Sequence, residues 1–79
     1  YPNPFNAHTT IQYSLPKQLL VSIDIFDILG RKIVTLAEGM KPAGEHQAIW
    51  DARRQSSGIY FYRIKAGDKF ETKKMELIK

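Results

Sequence analysis

Few side chains in this 79-residue sequence have the type and spacing that chemistry requires. The two histidines, His8 and His46, have no third ligand at a spacing that would indicate a zinc site. The carboxylates, among them Asp24, Asp27 and Asp51, lack the dense alternation of an oxygen-ligand calcium loop. We therefore predict no metal site. We expect Asp27 and Asp51, each at a predicted strand end, to accept backbone N–H bonds in turns.

Nucleophiles and phosphate-binding loops do not emerge from the sequence either. Ser56-Ser57-Gly58 lacks the glycine frame of a nucleophile elbow. The five glycines are isolated from one another and fall between predicted strands, so none builds a phosphate-cradling loop. Cysteine is absent, which excludes disulfides, thiolate nucleophiles and cysteine metal sites. The sequence predicts a protein that is not an enzyme and that has no cofactor.

Charge and hydropathy limit the classes of partner. The net charge is +4, but the basic residues are scattered and form no nucleic-acid recognition pattern. Apolar runs such as IVTLA are too short to cross a bilayer, so we expect no membrane insertion. No signal peptide is visible. The length of 79 residues predicts a single domain, residues 1–79, and the abrupt start in YPNPFN indicates a piece excised from something longer.

Period-2 alternation, typical of half-buried strands, recurs along the whole chain and predicts an all-β protein. Turns are expected at DILG, ARRQSSG and GDK, and EGMKPAGE is predicted to be a loop. This spacing favours an immunoglobulin-like antiparallel β-sandwich of six or seven strands, with the opening segment as the possible seventh. The predicted strands are TTIQYSL, LVSIDIF, RKIVTL, HQAIWD, IYFYRIKA and FETKKMELI.

The same alternation assigns side chains to the two faces of each strand. Phe26 and Phe61 point outward by this parity and require a cover. That cover is either internal, from Tyr1 and Phe5 of a proline-stiffened lead-in, or a partner protein. The predicted core consists of Ile11, Tyr13, Ile23, Ile25, Trp50, Tyr60, Tyr62 and Ile64.

Six blocks in fixed order make the chain recognisable: YPNPFN, TTIQYSLP, IFDILGRKI, AGEH-x₃-WD, SGIYFYRI and KM-x-LIK. Together they span the entire sequence and resemble the type A C-terminal sorting domain of the type IX secretion system. The chain is also similar to the immunoglobulin-like domain of the flagellar hook-capping protein, which has a like D-x-x-G-R hairpin.

The resemblance implies a non-catalytic domain that directs an upstream passenger domain through the type IX translocon. The passenger would be exported and cross the periplasm to the outer-membrane surface or the extracellular space. A cell-surface sortase-like peptidase would then remove the domain. The residues that match the family's turn and terminal strand, and that we take as sorting candidates, are Gly30, Arg31, Lys74, Met75, Leu77 and Lys79.

One further feature of the sequence concerns how such a domain is recognised. KKMELIK predicts an edge strand, which could add to a receptor sheet through its backbone.

An alternative function is a carbohydrate-binding module or a structural spacer appended to a secreted enzyme. A flat row of exposed tryptophan or tyrosine would favour carbohydrate binding, but Trp50 and the strand tyrosines are predicted to face inward.

Overall fold

The computed structural model describes residue 4 and residues 7–78, and six strands lie within them. These residues form no helix, and therefore none long and apolar enough to cross a bilayer. The predicted all-β class is confirmed, whereas the possible seventh strand in the opening segment lies outside the described residues. The strands are β1 (His8–Leu15), β2 (Leu19–Asp27), β3 (Lys32–Lys41), β4 (Gly44–Asp51), β5 (Gly58–Ala66) and β6 (Lys69–Leu77).

The strands form two antiparallel sheets that pack as a sandwich. One sheet pairs β1 with β4, and the other has the order β3-β2-β5-β6. Within the larger sheet, the inner strands β2 and β5 have a higher content of β-branched and aromatic residues than the outer strands β3 and β6, as buried central strands require. Among the strands that the structure describes, β3 and β6 are the edges of that sheet.

The core lies between the sheets and is built from alternate residues of every strand except β3. Trp50 is at its centre: it is 3% exposed and meets Tyr60 edge to face, with 5.1 Å between ring centroids. Ile11, Ile23 and Ile25 are buried as predicted. The other predicted core residues are only partly buried and pack against the core from its margin; they are Tyr13, Tyr62 and Ile64.

The prediction that EGMKPAGE is a loop was wrong. Strand β3 continues to Lys41, and only residues 42 and 43 connect it to β4. Its ladder with β2 persists because Gly39, opposite Val21, adopts a φ of +128° that other residues avoid. Glycine and proline together gave a loop signal, but this glycine serves inside a strand.

Candidate docking surface

The turn between β2 and β3 is organised by the carboxylate of Asp27. Its Oδ1 accepts the backbone N–H groups of Leu29 and Arg31, both at 2.9 Å, and its Oδ2 accepts Nε–H of Arg31 at 2.8 Å. These bonds, with those from the Arg31 backbone foremost, lower the pKa of Asp27. Gly30 has a φ of +84° and donates its N–H to the carbonyl of Asp27. The predicted turn-capping role of Asp27 is confirmed.

The tip of this turn is apolar and exposed. Ile28 and Leu29 project into solvent beside the exposed guanidinium of Arg31. A groove of about 540 Å³ separates the tip from the β4–β5 loop. Tyr60 lines this groove, and its hydroxyl donates to the carbonyl of Ser56 at 2.6 Å. We call this end of the sandwich the hairpin end.

A row of four side chains crosses the outer face of the larger sheet near the hairpin end. Strand register aligns Lys32 of β3 with Phe26 of β2, then with Phe61 of β5 and Lys74 of β6. We call these four residues the outer row. Adjacent strands lie about 4.8 Å apart, so the row is about 14 Å long. Two aromatic rings are thus flanked by two ammonium groups.

The outward orientation predicted for Phe26 and Phe61 holds, and both side chains are half-buried. Part of their cover comes from the domain itself, because the guanidinium of Arg63 lies 5.2 Å from the centroid of the Phe26 ring. The cover predicted from Tyr1 and Phe5 lies outside the described residues. A shallow depression of about 280 Å³ remains over the two rings.

Strand β6 ends at the hairpin end, because Asp27 pairs with Tyr60 and Tyr60 pairs with Met75. The structure therefore brings the two candidate segments to one end of the sheet, with Gly30 and Arg31 at the turn and Lys74 on the terminal strand. Lys79 lies outside the described residues.

Two of the terminal candidates point into the protein. Met75 is 3% exposed and Leu77 is 1% exposed, and both belong to the core. Their burial anchors the end of β6 in the core, and Glu76 between them is exposed. The sorting role of all six candidate residues stays a prediction.

Asp51 accepts a backbone N–H bond at the start of the β4–β5 loop, as the sequence predicted, and it also binds the side chain of Arg53. Arg53 donates Nη2–H to Oδ2 of Asp51 at 2.7 Å, and its backbone N–H reaches Oδ1 of the same carboxylate. These bonds lower the pKa of Asp51 to about 2. Between them, Ala52 is fully buried and donates its N–H to the carbonyl of Ala7 at 2.8 Å. Ala7 is thus fixed to the loop at the hairpin end.

The other residues that could take part in chemistry make contacts that stabilise the fold. His46 stacks on Tyr13 with ring centroids 5.2 Å apart and donates Nε2–H to the carbonyl of Pro42. Within residues 4 and 7–78, no group of three or more histidine, aspartate or glutamate side chains could hold a metal ion. Trp50 and Tyr60 are buried, so neither belongs to an exposed aromatic platform for polysaccharide.

Comparison with known proteins gives one result. The profile of the family described as secretion system C-terminal sorting domain matches residues 1–78. No curated protein matches the chain. The match covers nearly the whole sequence, and it includes both the Asp27–Arg31 turn and β6. The likeness to the hook-capping domain stays a prediction.

Proposed function

Since the chain belongs to the family of secretion-system C-terminal sorting domains, we propose that it is recognised through the edge of β6 and the hairpin end. Domains of this family are non-catalytic sorting signals of type IX secretion, and this chain is such a signal. The protein that carries it is destined for the cell surface or the extracellular space. The family match over residues 1–78 is the observation that carries this function.

The chain itself has no catalytic role. This proposal is supported by the family, whose members are sorting signals rather than enzymes. It is also supported by the state of the best-placed carboxylates: Asp27 and Asp51 are both engaged in turn contacts that keep them ionised. A carboxylate held in this way stabilises a turn and is a poor proton donor.

The edge of β6 is the better of the two edges for adding a strand. The ladder between β2 and β3 is shifted at two places, whereas β5 and β6 pair without a shift from Gly58–Leu77 to Ala66–Lys69. Bulges twist an edge and blunt it against further pairing. Among the described strands, β6 pairs with β5 alone, so the other side of its first part, residues 69–73, is a straight template for a receptor strand.

The burial of Met75 and Leu77 determines which side chains at the end of β6 face outward. Met75 and Leu77 anchor the strand in the core, and the alternation then places Lys74 and Glu76 on the outer face. A receptor that aligns with this segment meets the outer row through Lys74 and Phe61. Because the segment is ordered before binding, the entropic cost of recognition is reduced.

The partners follow from the function. The family supports an interaction with the secretion system. We propose two specific partners: the outer-membrane translocon of the type IX system and a cell-surface sortase-like peptidase. The route to the surface passes through the periplasm. Residues 1–79 act as one sorting domain attached to an upstream passenger domain.

The experiment uses a reporter passenger fused upstream of residues 1–79 in a bacterium with a type IX system. Lys74→Glu reverses the charge at one end of the outer row while leaving the core residues of β6 in place. We expect the surface-exposed fraction of the reporter to fall several-fold, because charge reversal at an interface rim slows encounter. The fraction is measured by protease accessibility on intact cells.

Lys17→Glu is the matched control. Lys17 is exposed in the turn between β1 and β2, at the opposite end of the sandwich, and its reversal changes the net charge by the same amount. We expect normal delivery of this variant. Equal delivery by both variants, each folded by circular dichroism, would exclude Lys74 from recognition while leaving the sorting function of the domain intact.

A further inference from the structure

The first part of β6 has an unusual exposure for a strand of a sandwich. Every residue from Lys69 to Lys74 is exposed, so both faces of this stretch meet solvent. Phe70 is 69% exposed and has no described apolar cover. The stretch lies on the regular edge of the larger sheet and pairs with β5 throughout. A long exposed edge with a large aromatic residue is a site for pairing with another chain.

The order of charges along this stretch is specific. One face carries Glu71 and Lys73, which form an ion pair of 3.3 Å within the strand. The other face carries Phe70, Thr72 and Lys74. The two neighbours of Thr72 in the sequence, on the opposite face, therefore carry opposite charges. Its two neighbours on the same face are an aromatic ring and an ammonium group.

We propose that β6 pairs antiparallel with β6 of a second copy of this chain, about a two-fold axis at Thr72 perpendicular to the sheet. Such an axis keeps each face on its own side. Glu71 then lies opposite Lys73 of the second copy, and the reverse pair forms by symmetry. Phe70 lies opposite Lys74 of the second copy, within reach of a cation–π contact. The two four-stranded sheets become one continuous sheet.

Symmetric registers centred on the residues that flank Thr72 toward the end of the strand, or on Glu71, are poorer. An axis at Glu71, Lys73 or Lys74 places that charged side chain opposite its own copy, and like charges directly opposite each other destabilise a sheet. An axis at Met75 avoids this conflict, but it leaves Phe70 and Glu71 beyond the ladder. The Thr72 register pairs the strand from Lys69 to Met75 with no like-charge pair. The charges along the edge of β6 therefore disfavour pairing with other strands and favour pairing with β6 of the second copy.

A cysteine at the axis tests the register directly, because the chain has no cysteine of its own. In the Thr72→Cys variant, the two sulfurs face each other across the axis at a separation that a disulfide can span. We expect a disulfide-linked dimer under mild oxidation on non-reducing gels. Lys74→Cys is the control on the same strand and face, since it faces Phe70 of the second copy and should link at least about tenfold more slowly.

Charge exchange tests the same register without a covalent bond. In sedimentation velocity, Lys73→Glu and Glu71→Lys should each weaken dimerisation by about tenfold or more, because two cross-strand attractions become repulsions. The double variant E71K/K73E restores opposite charges and should recover the wild-type dimer. Lys17→Glu, remote from β6, should dimerise like the wild type.

Three results would overturn the proposal. One is a wild-type chain that remains monomeric over the whole accessible concentration range. Another is a double variant that dimerises no better than the single variants. The third is equal or faster linking at Lys74→Cys than at Thr72→Cys. None of these results decides whether the domain is a sorting signal, because self-pairing is measured on the isolated chain without the secretion machinery.

Discussion

Replacing Trp50 by alanine removes the centre of the core and tests the sandwich assignment. Trp50 is 3% exposed and meets Tyr60 edge to face. Truncating a buried tryptophan costs about 3–5 kcal/mol, of which the aromatic pair supplies about 0.5–1.5 kcal/mol. A 79-residue domain has a free energy of unfolding of roughly 4–12 kcal/mol. The variant should therefore lose a quarter or more of its stability and be largely unfolded if the domain is marginal.

The assay is urea denaturation followed by far-ultraviolet circular dichroism, because the variant has no tryptophan fluorescence. Ile49→Ala is the matched control on the same strand. Ile49 is 60% exposed on the other face of β4, so its truncation should change the free energy of unfolding by about 0.5 kcal/mol or less. A Trp50→Ala cost below about 1 kcal/mol, or equal costs for the two variants, would refute the core assignment.

Two further predictions concern the turns. In urea denaturation, Gly30→Val should lower the free energy of unfolding by about 1–3 kcal/mol. No atom lies within 4 Å of a Cβ at this position, so the whole cost is the strain of a φ of +84°. Gly30→Asn should cost less, and a valine variant as stable as the wild type would show that the turn was misread. Asp51 has its pKa lowered to about 2 in the fold, so its contribution is complete above the unfolded pKa near 3.8 and is lost as the pH falls toward 2. Calorimetry of Asp51→Asn should therefore give a melting temperature below that of the wild type at pH 6, and the difference should shrink as the pH falls toward 2. A difference that persists unchanged at pH 2 would contradict this linkage.

The strands and most of the core could be predicted because they depend on local alternation. In β2, every second residue from Val21 to Ile25 is buried, as the pattern of LVSIDIF required. The capping of the β2–β3 turn by Asp27 was also predictable, since the carboxylate and the N–H groups it accepts are at most four residues apart. Local signals fix such features without knowledge of the sheet order.

The end of β3 could not be predicted, because its pairing partner is remote. Gly39 lies inside a strand only because Val21 holds it there. The burial of Ala52 has a similar origin, since it depends on a backbone bond to Ala7 in a distant part of the chain. Both residues stand in segments whose glycine or polar content is typical of loops.

The candidate site was predicted residue by residue but not as a surface. The sequence indicated that Phe26 and Phe61 point outward, yet their position between Lys32 and Lys74 follows from strand register. Alternation also placed Met75 and Leu77 on one face of β6 without revealing that this face is the core side. Their burial makes truncation of the terminal strand a poor test of sorting, because the domain would lose part of its core.

The most direct test of the sorting function is translocon-dependent delivery of a passenger. A folded reporter is fused upstream of residues 1–79 and expressed in a type IX-competent strain and in an isogenic strain that lacks the outer-membrane translocon. We expect protease-accessible reporter on the surface or in the medium of the competent strain, and retention in the periplasm of the other. Retention in both strains, or equal surface delivery in both, would contradict the assignment of this domain as a type IX sorting signal.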